Sequence, residues 1–159
     1  MNYAEWLTSV PVEIREDSLW KMEAYRLALF AADLAWHDAT KLIGDKRTIG
    51  LASQLYEAVG SISANISEGY SRGTGRDRAR FCEYALGSAR ESLGWCFKGR
   101  HVLGEAVSNH RLRLLTQINR LLLTMVPDQR GATLREEPVN YSSAPPPEMS
   151  GLIQTVPLP

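Results

Sequence analysis

The sequence predicts an all-α protein: an antiparallel up-down-up-down four-helix bundle with a disordered, proline-rich C-terminal tail. Three observations carry that expectation. Apolar residues recur at spacings of three and four over four long segments. The breaks between those segments are short and rich in glycine and polar residues, which favours antiparallel neighbours. No stretch of useful length alternates apolar and polar residues as a strand would.

The first helix is expected over residues 18–43, with Leu27, Ala31, Leu34 and Leu42 on its inner face and Gly44-Asp45 ending it. The second is expected over 47–70, with Ala52, Leu55, Val59, Ile62 and Ile66 on one stripe. The third covers 75–103 and turns Cys82, Leu86, Ala89, Leu93 and Cys96 inward. The fourth covers 109–126, with Leu115, Ile118, Leu122 and Met125 inward, and Pro127 is expected to stop it. The chain thus divides into a leader (1–17), a bundle (18–126) and a tail (127–159). The leader contains Trp6 and Pro11, and its sequence does not decide whether it packs. The tail, with "SSAPPPEMSGLIQTVPLP" at its end, lacks helical periodicity and reads as mostly bare. Its short apolar piece, Leu152, Ile153, Val156 and Leu158, could dock on a protein partner.

At 159 residues, 44% apolar and 23% charged, the composition is that of one ordinary globular domain. No signal peptide or membrane-spanning run is visible, so a cytoplasmic protein without a membrane partner is expected. Cys82 and Cys96 share one helix and lie ~21 Å apart by helical rise, too far for a disulfide within it. They read as reduced core residues. The net charge is zero but unevenly placed. Residues 1–71 carry six Lys/Arg against ten Asp/Glu, net −4; residues 72–120 carry ten against four, net +6; residues 121–159 carry two against four, net −2. Such asymmetry fits a basic surface for nucleic acid, an ordinary dipolar protein, or complementarity between subunits.

The stretch "SISANISEGYSRGTGRDRARF" (61–81) joins the second and third helices. Glu68 and Arg72 stand at i,i+4 near a helix end. Gly73 offers backbone freedom there, and Thr74 with Asp77 has the form of a capping box. Arg76, Arg78 and Arg80 fall in the first turns of the next helix, where the helix dipole disfavours cations. Clustered arginines beside free helix N–H groups are components of an anion site. Walker-loop spacing is absent. The arginines can therefore grip phosphate, or form a solvated or intersubunit salt-bridged corner.

Three blocks, "GLASQL" (Gly50–Leu55), "SISANISEGYSR" (Ser61–Arg72) and "FCEYALGSARE" (Phe81–Glu91), resemble the four-helix bundle family encoded by bacterial 23S rRNA intervening sequences. That family is distantly related to the accessory variability proteins of diversity-generating retroelements. The resemblance spans residues 20–126. It implies small bundles that assemble as rings, pentamers in this family and its relatives, with nucleic-acid binding in the retroelement branch. The family motif falls on Gln54, Asn65, Glu68, Gly69 and Arg72, then on Phe81, Gly87, Ser88 and Glu91. Where the family shows a basic pair after "QL", this chain has Tyr56-Glu57, which removes positive charge from the second helix. Asn65 with Glu68, and Ser88 with Glu91, share helix faces and are expected to serve structure or assembly. Gly87 and Ser88 would allow close helix approach.

The sequence carries no catalytic motif. No Glu-x-x-His pair suits a di-iron site, no zinc spacing occurs, and no nucleophile has a local partner. His37, His101 and His110 read as surface or boundary residues. No cofactor, metal or enzymatic activity is expected. The large aromatics Trp20, Trp36, Trp95, Tyr25, Tyr56, Tyr70 and Tyr84 are expected mostly in the core, with Trp36, Trp95 and Tyr56 supplying an extra apolar face for a homo-oligomer. Two functions follow. One is RNA or DNA contact through Arg72, Arg76, Arg78 and Arg80 at one bundle end and Lys98, Arg100, Arg111 and Arg113 at the other. The alternative is a protein-interaction scaffold whose arginines pair with the acidic first helix of a neighbouring subunit.

Overall fold

The computed structural model describes residues 2–130 and 154–159. Its elements are α1 (Tyr3–Ser9), α2 (Val12–Arg15), a 3-10 turn (Ser18–Lys21), α3 (Glu23–Ile43), α4 (Ile49–Tyr70), α5 (Gly75–Leu103) and α6 (Glu105–Arg130). The four long helices α3–α6 form the bundle in chain order. Each packs mainly on its sequence neighbours, α3 also packs on α6, and α3 and α5 sit across the diagonal. No strand occurs among the described residues.

The inward stripes read from the sequence are the ones the fold buries. Leu27, Leu34 and Leu42 of α3, Leu55 and Ile62 of α4, and Ile118 and Leu122 of α6 are wholly enclosed. Leu93 and Met125 are half-buried at the margin. Cys82 and Cys96 are both buried and unpaired. Burial, with the nearby Asp38 charge second, pushes the Cys96 thiol up to about 12, so it is inert as a nucleophile.

The connection between α5 and α6 is tighter than the sequence suggested. α6 begins at Glu105 rather than at residue 109, because Gly104 turns the chain alone with φ +87°, a conformation that L side chains rarely adopt. Gly73 has no such φ, so its freedom is not what ends α4. Pro127 does not stop α6, which runs on to Arg130. A proline this near the end removes only its own N–H bond, and the enclosed Val126 beside it holds the turn against the bundle.

The leader is part of the core. Asn2 caps α1 in a reciprocal box with Glu5. α1 then places Trp6 against Tyr3, Trp20 and Phe30, and the Trp6 indole N–H donates to the Asp33 carboxylate. At the other end of the chain, Val156 packs against the same core on its own bundle rather than standing bare. Leu152 and Ile153, with the rest of the tail's predicted disorder, lie outside the described residues.

Candidate functional site

The α4–α5 corner is built from within. Arg72 pairs with Glu68 and lies over the Phe81 ring at 4.7 Å. Thr74 Oγ1 accepts from the Asp77 N–H at 3.1 Å and donates to the Asp77 carboxylate at 2.7 Å, starting α5. The Arg78 Nε donates to the Arg72 carbonyl at 2.8 Å, closing an orphan acceptor at the end of α4. Arg80 donates to the Tyr84 hydroxyl at 2.6 Å and covers that ring at 5.6 Å. Arg76 and Arg80 line a shallow depression with Thr74, Asp77 and Glu83. Gly69 makes the corner possible: a Cβ there would lie 2.7 Å from the Cβ of Phe81. Overpacking of that kind costs about 1–3 kcal/mol. Gly69 and Phe81 are thus one packing unit.

The second basic cluster is not a cluster. Lys98 sits over Trp95 at 4.0 Å, while Arg100 sits over Phe97 at 4.0 Å and donates to the Phe97 carbonyl at 2.8 Å. Arg113 is exposed. Arg111, expected to meet nucleic acid, is instead 3% exposed inside the bundle. Its Nε and NH2 donate to the two Asp38 oxygens at 2.8 and 2.9 Å, and its NH1 contacts His110 Nδ1 at 2.9 Å. Since the guanidinium can only donate, Nδ1 accepts and the neutral His110 ring carries its proton on Nε2. His110 is therefore a buried residue and not a surface one, whereas His37 and His101 are exposed. Burial raises the Asp38 carboxyl above its usual range, with Arg111 pulling the other way. A small cavity, about 10 Å³ of space for a water's centre, lies beside this pair and Cys96.

The other motif residues satisfy groups on their own helices. Asn65 donates to the Ser61 carbonyl at 2.8 Å, Ser92 to the Ser88 carbonyl at 2.8 Å, and Trp95 to the Glu91 carboxylate at 3.1 Å. Gln54 is exposed. Gly87 does not bring helices together within the chain, because a Cβ there would meet nothing within 4 Å, and the same holds at Gly94. Both are exposed in mid-helix, where each costs about 1 kcal/mol relative to alanine. They lie on one outward row of α5, flanked by Tyr84 and Lys98.

None of the seven aromatics expected mostly in the core is fully buried; Trp6, Tyr3 and Phe30 fill that role. Periodicity alone did not separate them, because the leader supplies rings that no helical stripe marks. Trp36 is 62% exposed and meets the exposed Tyr56 edge-on at 6.1 Å, joining the outer surfaces of α3 and α4. Along that shared face α3 presents Ala32, Trp36, Thr40 and Ile43, and α4 presents Ile49, Ser53, Tyr56 and Gly60. None of these carries a charge.

Among the described residues no group of three or more metal-ligating side chains occurs, and no helix is long and apolar enough to cross a membrane. The class is that of small all-α bundles, here with an exposed aromatic pair on α3 and α4 and an arginine-bearing α4–α5 corner. More particularly, the chain belongs to the 23S rRNA-intervening sequence protein family, whose model matches residues 21–124. The chain is also similar to a crystal structure of a protein of unknown function from the S23 ribosomal protein family of Bacteroides thetaiotaomicron. The two share 20% identity and a TM-score of 0.61 over 65% of this chain and 97% of that one, a likeness of fold. No curated protein matches.

Proposed function

We propose that the protein is a non-enzymatic assembly module, whose copies associate through the outer α3–α4 face into a homo-oligomer. The supporting observation is that face itself: Trp36, Ile43, Ile49 and Tyr56 are each 45% or more exposed on a surface without charge. Contiguous apolar patches of this kind mark interaction sites on otherwise polar proteins. Light scattering on the full chain is expected to give a multiple of 17.7 kDa. The double variant Trp36→Glu, Tyr56→Glu is expected to fall to the monomer mass with unchanged helical circular dichroism. A wild-type chain that scatters as a monomer at micromolar concentration rejects the reading.

A second reading, contact with RNA or DNA, is favoured by the guanidinium–aromatic pairs and the depression at the start of α5. Arg78 buttresses the corner, so Arg76 and Arg80 are the residues to change. Labelled single strands titrated across a salt series should show affinity falling steeply with salt, at roughly 0.7 log unit per phosphate contact per tenfold salt. Arg76→Glu with Arg80→Glu should abolish retention at ~50 mM salt and leave the oligomer mass intact. No retention of either nucleic acid by the wild-type protein removes this second reading alone.

A further inference from the structure

We infer that the bundle carries a binding site for an uncharged, proline-bracketed peptide, which the chain's own Thr155–Pro159 segment fills in cis as a displaceable ligand. The inference is independent of the assembly and nucleic-acid readings above. Residues 154–159 read "QTVPLP" and carry no charged side chain. Past Gln154 the segment has no regular secondary structure. Pro157 and Pro159 lack the N–H that a helix or a strand ladder would use. Among the described residues no backbone hydrogen bond ties 154–159 to the bundle. Side chains therefore carry the contact. Val156 packs against the bundle core, and Val156 and Pro157 are both half-buried while Thr155 beside them is exposed.

The seating is partial, because Leu158 stays 48% exposed. One half-buried valine removes little apolar surface from water, so the contact is weak for a free peptide. Tethering is what sustains it. Residues 131–153 join the segment to α6, and twenty-three residues reach at most ~80 Å when extended. That is about twice the ~39 Å length of the 26-residue α6, so the chain end can reach any part of the bundle. A tether of this length holds its ligand at an effective concentration on the order of millimolar. Docking in cis then requires a dissociation constant at or below that range, which a titration with free peptide can reach. The occupant also defines the chemistry selected. A charged residue in place of Val156 would press an uncompensated charge against the apolar core.

The probe is an acetylated peptide of residues 154–159, titrated into isotope-labelled full-length protein and followed by amide NMR shifts. The full-length variant Val156→Asp is expected to empty the site, keep native helical circular dichroism, and bind the peptide at or below ~1 mM. The wild-type protein is expected to bind it at least about twofold more weakly, since a segment docked more than half the time excludes the free peptide by that factor. A peptide carrying Val156→Asp should bind neither protein. Equal affinity of the wild type and the variant overturns the inference, because the site is then not filled in cis. So does an absence of binding to the variant up to ~10 mM peptide, well above the effective concentration of the tether. Equal binding of the altered peptide overturns it too, since the valine would not be what the site recognises.

Discussion

Replacing Asp38 with alanine is expected to cost the fold about 3–5 kcal/mol, read as the shift in urea midpoint at fixed protein concentration. Asp38 is 1% exposed and holds both oxygens against a guanidinium that is itself buried. Removing the carboxylate strands a cation that cannot shed its proton inside the bundle. Arg111→Met is expected to be milder, because the carboxyl left behind can take a proton. The double variant Asp38→Leu, Arg111→Met is expected to recover most or all of the loss, since a well-packed apolar pair avoids desolvation of both charges. Recovery would give a large coupling between residues 73 positions apart in the chain. Additive losses would show that the pair is not a unit.

The pH dependence of the two carboxyls with shifted titration runs in opposite directions. The Asp38 carboxyl is raised above 3.8 in the fold, chiefly by burial. Its titration favours the folded state fully below 3.8, and that contribution is lost as pH rises through the raised value. The half-buried Asp45 behaves oppositely. Its hydrogen bonds with Arg47 lower it to about 2, so its contribution is present above 3.8 and fades as pH falls through about 2.

Trp6→Ala is the second large expected effect, a loss of about 3–5 kcal/mol. Trp6 is 2% exposed and touches three other rings, with centroids at 5.7 Å to Tyr3, 6.1 Å to Trp20 and 5.2 Å to Phe30. Alanine leaves a ring-sized void lined by α3 and the 3-10 turn, which a close-packed interior refills only in part. The Asp33 carboxylate would lose its indole donor but is exposed and can hydrate. Trp6→Phe should retain most of the stability. Gln54→Ala, a change at an exposed residue, is the control, expected within about 0.5 kcal/mol. A Trp6→Ala variant as stable as that control would mean that the leader contributes nothing to the core.

Part of the outer aromatic surface was legible before the fold. Trp36 and Trp95 stand off the inward stripes in the sequence; in the structure Trp36 is exposed and Trp95 half-buried. The α4–α5 corner was also legible, because a cap and an i,i+4 pair need only neighbours within a turn. Gly87 was read as a packing glycine, but whether a glycine faces a helix or solvent depends on where the other helices lie.

The sequence by itself determined the four long helices and their buried stripes, because the spacing of Leu55, Val59, Ile62 and Ile66 is a local property of one segment. Only the tertiary structure decided that Arg111 faces inward, that Trp6 is core, and that Val156 returns to the bundle. Each of those depends on a partner far away in the chain. An arginine reads as surface until a carboxylate from another helix is seen to neutralise it, and a tryptophan outside any periodic stripe reads as leader until a pocket of rings is seen to hold it. Local pattern fixes which elements form, whereas long-range packing fixes which charged and aromatic side chains they enclose.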